Sequence, residues 1–223
     1  YLIERINAGD WIYGYSSGFG PLAHENSVVH DNTQHQKDLL YHLATGQGEV
    51  LSLPESRAVL ALRLRQLALG YSGISLNTLL RIIDLFNKGF AAAIPSLGSV
   101  GASGDLTPLS HLALSLSGEG EVYYNGVVID AQLWFVQKGL SPIVWQEREA
   151  LAFVNGTACM TALAALNLMQ LEKALARSLK QVFIYAEMLG AYREAWNPLL
   201  AQARPHKGQK LLSETLFNWS LER

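Results

Sequence analysis

The chain has 223 residues, 49% hydrophobic and 16% charged, a globular composition long enough to bury a sizeable core and within the range of one domain. Its net charge of −2, with 17 Lys and Arg scattered along the chain, offers no basic field for a phosphate backbone, so nucleic acid is not an expected partner. Cys159 is the single cysteine; it cannot form an intrachain disulfide, reads as a small buried apolar residue, and suits a reducing cytoplasm.

In chain order, "YLIERINAGDWIYGY" (1–15) reads as the last turns of a helix entered partway, without the basic stretch and apolar run of a signal peptide. "PESRAVLALRLRQLALG" (54–70) has Pro54 suited to a first helical turn and Gly70 to a C-terminal cap, with an apolar stripe between. "LNTLLRIIDLFNKG" (76–89) repeats the form, with Leu76, Leu79, Leu80 and Ile83 as its stripe and Gly89 as its stop. Asp105 is an expected N-cap for "LTPLSHLALSLSG" (106–118), where Pro108 is tolerable in the first turn. In "EVYYNGVVIDA" (121–131), β-branched and aromatic residues flank Asn125-Gly126, which predicts a small hairpin near 121–130. From Ala158 to about Tyr192 the spacing predicts one helix of ~50 Å, apolar on most faces until Glu172. Such a helix requires neighbours all round, which places it at the centre of a bundle completed by other subunits. The most apolar run, "CMTALAALNLMQL" (159–171), is short of the ~18 residues of a membrane span and broken by Asn167 and Gln170, so no membrane helix is expected. The fold class is mainly α.

The glycines around Ser103 fit no phosphate loop, since Asp105 rather than Lys follows Gly104, and no nucleophile elbow, which needs Gly where Asp105 stands. "GFGPLA" (18–23) has the spacing of a dinucleotide fingerprint but lacks a βαβ setting, and His24 and His30 have no third partner for a metal. No metal or nucleotide is expected. Ala102-Ser103-Gly104 admits another chemistry: if a turn presses the Gly104 nitrogen onto the Ala102 carbonyl, a five-membered ring can close. Loss of water there and from the Ser103 hydroxyl then leaves a methylidene-imidazolone. Gly104 has no Cβ to obstruct the attack, Ala102 is small enough for a compressed turn, and Ser103 supplies the hydroxyl. On the tripeptide alone the plainer reading, a glycine-rich turn capping a helix at Asp105, is preferred.

The surrounding segments change that weighing. "GSVGASGDLTPLSHLAL" (98–114) closely resembles the cofactor-forming segment of the aromatic amino acid lyases, the family of histidine, phenylalanine and tyrosine ammonia-lyases and related aminomutases. "YGYSSGFGPLA" (13–23) is similar to the family's Y-G-x-x-T-G-F-G loop with Ser17 for Thr, and "DLLYHLATG" (38–46) to its substrate-selecting helix. "FVNGT" (153–157) resembles I-N-G-T, and "RPHKGQ" (204–209) resembles R-P-H-P-G-Q with Lys207 for Pro. The motifs occur in family order over practically the whole chain. Family members are much longer, so residues 1–223 are expected to be an N-terminal part, the cofactor-forming domain plus the start of the central helical bundle, with a C-terminal half to be supplied.

The resemblance implies a helical bundle of the ammonia-lyase type and a methylidene-imidazolone made from Ala102, Ser103 and Gly104. It implies an aromatic amino acid substrate, and a homotetramer whose sites are each built from more than one chain. The substrate amine would add to the carbon derived from Ser103, and Tyr13 would remove the β-proton. A phenol, ordinarily of pKa ~10, needs positive charge or hydrogen bonds nearby for that task. Gly14, Gly18 and Gly20 would let the loop close as a lid, Gly20 lying at the substrate. Asn155, otherwise a C-cap, would hydrogen-bond at the ring or substrate, and Asp105 would assist ring formation, with the helix N-terminus favouring charge there. His42 and Leu43 match the selectivity pair of some tyrosine lyases, and Leu106 would line the same pocket. Without the family, His42 among Leu39, Leu40 and Leu43 reads as a satisfied core histidine. The expected reaction is L-tyrosine to p-coumarate and ammonia, the alternatives being a phenylalanine or histidine ammonia-lyase, an aromatic aminomutase, or an inactive helical partner lacking half of a site.

Overall fold

The computed structural model describes residues 2–25 and 32–220, so His30 lies outside the described residues. The chain divides into two compact units, Tyr1–Leu166 and Asn167–Arg223. In the first, α1 (Leu2–Asn7) ends before Gly9 and leads through the 13–23 loop to α2 (Asn32–Leu43). Then follow β1 (Gln47–Val50), α3 (Leu53–Leu67), α4 (Leu76–Asn87), β2 (Pro95–Leu97) and α5 (Leu106–Leu116). The hairpin β3 (Glu121–Tyr124) and β4 (Val127–Asp130) precedes α6 (Ala131–Lys138) and α7 (Glu149–Val154), and α8 runs over Ala158–Met188.

The expected helices form for the expected reasons, with differences at their edges. Pro54 sits in the first turn of α3, preceded by a capping box in which Ser52 and Glu55 satisfy each other's main-chain donors. The helix stops at Leu67, and Gly70 (φ 80°) lies beyond the cap in the following turn. On α4 the buried face is Thr78, Leu79, Ile82 and Leu85, whereas Leu76 and Leu80 are exposed, which corrects the predicted stripe. The helix has more apolar positions than one face can hold, so packing against α3 selects among them. The hairpin forms as predicted, paired from Glu121↔Asp130 to Tyr124↔Val127, with Asn125 (φ 49°) and Gly126 (φ 84°) both left-handed in the turn.

Sequence reading missed the second two-stranded sheet, in which β1 pairs antiparallel with β2, Gln47 opposite Leu97. A buried strap, Phe90–Ile94, links the two sheets. Ala92 bridges to Val122, Ala93 N–H donates to Glu121 O, and Leu51 N–H donates to Ile94 O. These pairings are non-local and leave little periodic trace in segments of three and four residues.

The core of the first unit draws on Leu39 to Ala162, with Trp134, Trp145, Phe90, Phe135 and Phe153 its largest fully buried side chains. α2, α5 and α7 pack on one another and carry the candidate site at their ends. Cys159 is buried as expected, and its thiol is pushed up to about 11 by that burial and by the nearby Asp105 carboxylate. In the second unit α9 (Pro198–Gln202) packs on α10 (Lys207–Trp219), Phe183 meets Trp219 edge-on at 5.6 Å, and the Arg193 guanidinium lies 3.9 Å from the Phe217 ring centre.

The predicted long helix ends at Met188, before Gly190. Of its residues only Ala158, Cys159 and Ala162 are buried, while Leu168, Leu171, Leu175 and Ile184 are exposed. The stretch Glu149–Met188 is also long and apolar enough, by length and composition, to cross a membrane, with a mean hydropathy of 1.5 in an 18-residue window that is 39% buried. Length and composition alone do not make it a membrane span, since the core helix of a helical bundle meets the same criterion.

Glu149, 3% exposed, fixes the start of α7: its carboxylate accepts from Ser75 N–H (3.0 Å), Thr78 Oγ1 (3.1 Å) and Gln146 N–H (3.1 Å). Glu149→Leu strands three donors and is expected to cost about 2–4 kcal/mol, read from denaturant unfolding of the full-length protein.

Candidate functional site

The chain bends through 101–104 immediately before α5. Gly101 (φ 70°), Ser103 (φ 61°) and Gly104 (φ 104°) all occupy the left-handed side, so the reversal is tight. For Ser103 that conformation is strained by about 1–3 kcal/mol and persists only because its surroundings impose it. Those surroundings are the Asn155–Gly156 turn. A Cβ on Gly104 would lie 2.6 Å from the Gly156 carbonyl oxygen, and Asp105 N–H donates to that oxygen at 2.7 Å. Gly104 is therefore glycine both for its φ and for the approach of two backbones. Ala102 and the Ser103 hydroxymethyl are exposed.

Asp105 occupies the N-cap position of α5 but makes no side-chain cap there. Its buried carboxylate instead accepts from Ser99 Oγ (3.1 Å) and from Met160 N–H (2.8 Å) in the first turn of α8. One side chain thus ties the bend to the N-terminus of a neighbouring helix. Asn155 does stand at the C-cap of α7, its N–H donating to Leu151 O. Its side chain is exposed, and its carbonyl accepts from Arg63 Nη2 at 3.0 Å.

Tyr13 is 41% exposed, and its hydroxyl oxygen accepts from Gly20 N–H at 3.0 Å. The loop is anchored by α2 and α7: Gln36 Nε2 donates to Gly14 O (3.5 Å), Leu151 N–H donates to Gln36 Oε1 (3.3 Å), and a Cβ on Gly14 would run into the Leu151 side chain. Ser17 is fully buried, accepting from Gly14 N–H and donating to Gly18 O. Burial pulls the pKa of the Arg148 guanidinium below the usual arginine value, and its interaction with Tyr13 partly opposes that.

His42 is exposed at the end of α2, which corrects its reading as a core histidine, while Leu43 and Leu106 pack partly against the core. The end of α2 lies beside the bend. Gly46 N–H donates to His111 Nε2 on α5 (3.0 Å), and a Cβ on Gly98 would lie 3.1 Å from Gly46 Cα. The β1–β2 pairing continues that stitch. Tyr13, Asn155, His42, Leu43 and Leu106 are thus held by the three packed helices that frame the bend at 102–104. Among the described residues no group of three or more His, Cys, Asp or Glu could hold a metal ion.

The site is thus an Ala-Ser-Gly bend pressed against a second glycine turn at a helix N-terminus, within a mainly helical fold. The chain belongs to the aromatic amino acid lyase family, whose sequence model matches residues 1–220. It is 40% identical over 211 residues to a histidine ammonia-lyase of Myxococcus xanthus (94% of this chain, 41% of that protein). It is also 40% identical over 200 residues to a tyrosine ammonia-lyase of Cereibacter sphaeroides (89% and 38%). Among solved structures, the phenylalanine aminomutase of Pantoea agglomerans superposes with a TM-score of 0.91 at 26% identity, over 97% of this chain and 42% of that one. The chain therefore spans about two fifths of the length of these relatives, and ammonia-lyases, as its relatives are named, are carbon–nitrogen lyases.

Sequence reasoning passed over Gln36, Arg63, Ser99, His111 and Arg148. Arg63 had a signal: it falls on the stripe Val59, Leu60, Leu64 and Leu67, where a charge is out of place. His111 accepts a main-chain hydrogen bond through Nε2, which only the neutral ring permits, and burial lowers its pKa. As pH falls below the ordinary histidine value of ~6.5, the unfolded chain gains this proton while the folded chain resists it, so stability declines. His35, also lowered by burial, adds to the slope. Unfolding of the full-length protein between pH 7.5 and pH 5.5 should become flatter in His111→Gln.

Proposed function

We propose that this chain is the N-terminal, cofactor-forming part of an ammonia-lyase that converts L-tyrosine to p-coumarate and ammonia. Its electrophile would be a methylidene-imidazolone made from Ala102, Ser103 and Gly104. The observation that carries the reading is the pressing of Gly104 and Asp105 against the Gly156 carbonyl, which holds Ser103 in a left-handed bend. The residues fit the group. Position 104 carries no side chain and has room for none, and the Ser103 hydroxymethyl is free to leave. When formed, the ring supplies an electrophilic carbon that makes the substrate amine a better leaving group.

The chain's own residues do the rest. Tyr13, its oxygen held by Gly20 N–H, takes the β-proton, with the Arg148 charge nearby. The glycine loop around Tyr13 closes over substrate and excludes water. Asn155 hydrogen-bonds at the reacting centre, and the N-terminus of α5 favours negative charge there. His42 hydrogen-bonds the substrate phenol, while Leu43 and Leu106 receive its ring. Once the assembled, closed site buries that imidazole, leaving it without the phenol leaves it unsatisfied, which gives strong discrimination against phenylalanine. The exposed apolar faces of α8 suit burial by other copies in a homotetramer with shared sites, working in a reducing cytoplasm. A histidine substrate is the second reading, supported by the Myxococcus xanthus relative at the same identity as the tyrosine lyase.

The test is the intact mass of the full-length protein together with product analysis on Tyr, Phe and His. We expect a mass lower than the encoded one by two waters, and coumarate from Tyr. Tyr13→Phe should keep that mass and lose about 10²–10⁴-fold in kcat. His42→Phe should narrow the Tyr-over-Phe preference by roughly 10²-fold or more. Urocanate in place of coumarate would install the histidine reading, a β-amino acid would install an aminomutase, and the full encoded mass would remove the lyase mechanism altogether.

A further inference from the structure

Arg63 is 3% exposed on the inward face of α3. Its guanidinium donates to Phe153 O (2.6 Å), Asn155 O (3.0 Å), Ala152 O and Gln66 Oε1 (2.7 Å), acceptors that are all neutral. Burial lowers its pKa to about 10, which leaves it charged at neutral pH. A buried cation without a carboxylate is costly to keep, and a leucine would serve packing alone. The charge is matched here by the C-terminal carbonyls of α7, which have no partners within that helix and form the negative end of its dipole.

The place of those carbonyls gives the arginine a purpose. They lead directly into Gly156, whose carbonyl meets Gly104 and Asp105. A Cβ on Gly156 would run into Arg63 Nη1, so the turn is held between the guanidinium on one side and the tripeptide bend on the other. Arg65, two residues along, is exposed and has no access to this turn.

We propose that Arg63 is a positioning residue for maturation: by holding the carbonyls of 152–155 it sets the Gly156 turn that compresses Ala102-Ser103-Gly104 for cyclisation. This rests on the lyase reading given above. In that step the Gly104 nitrogen bonds to the Ala102 carbonyl carbon, and the carbonyl oxygen leaves as water with the amide hydrogens of Gly104 and Ser103. The Ser103 hydroxyl then leaves with its α-hydrogen as a second water, so the step needs no oxidant or co-reactant. Arg63 touches none of these atoms and acts through Asn155 and Gly156.

The experiment compares Arg63→Gln and Arg63→Lys with wild type in the full-length protein. It reads the matured fraction by intact mass at fixed times after synthesis, alongside kcat, KM and thermal unfolding. We expect folded Arg63→Gln to mature about tenfold more slowly or worse, with kcat falling in step and KM little changed, since two or three charge-assisted bonds are lost. Arg63→Lys, keeping the charge and one or two donors, should recover part of that loss. Arg63→Gln maturing at the wild-type rate overturns the proposal. If Arg63→Gln does not fold, Arg63→Lys decides: slower maturation at an unchanged unfolding temperature supports the proposal, and wild-type maturation overturns it. Wild-type protein at its full encoded mass would instead remove the lyase reading on which the proposal stands.

Discussion

The contact between two backbones, Gly104–Asp105 on one side and Gly156 on the other, is the constraint around which the first unit is organised. It admits no Cβ at 104, it uses the Asp105 N–H, and it brings the N-terminus of α5 against the C-terminus of α7. Asp105 then reaches past its own helix to the first turn of α8, and Arg63 grips the Asn155–Gly156 turn from the other side. Three helices and one bend are fixed relative to one another by groups that are mostly main chain. A side-chain contact can relax by changing rotamer, whereas this one can yield only by moving a helix.

The rest of the site attaches to that frame through polar main-chain stitches. Gln36 spans from α2 to both the Tyr13 loop and α7, and His111 fastens the end of α2 to α5. Tyr13 and His42 therefore sit at the margin of the frame on segments with exposed surface, while Leu43 and Leu106 lean on the core. In the proposed lyase such a division would leave the bend and its braces constant while selectivity changed in side chains at helix and loop ends.

Much of this was legible in the chain. Helix positions followed from Pro54, Gly89, Pro108 and Gly118, the hairpin followed from Asn125-Gly126, and the bend was marked by the glycines around Ser103. The sheet of β1 and β2 was not, because pairing between residues some fifty positions apart leaves no periodic signal in such short strands. The buried face of α4 was misjudged because its leucines and isoleucines cover more than one face, and only a neighbour can choose. α8 showed the opposite case: its apolar faces were legible, and within this chain most of them remain uncovered.

The sequence by itself determined the family, through motifs in register, and marked Ala102-Ser103-Gly104 as a glycine-rich bend before a helix. Tertiary structure alone decided why Gly104 must be glycine, where Asp105 directs its carboxylate, and that Arg63 faces inward to a turn ninety residues away. The physical reason is that a hydrogen bond between distant main-chain groups depends on no side-chain pattern. Its donors and acceptors are the same at every position, and only the fold selects which of them meet.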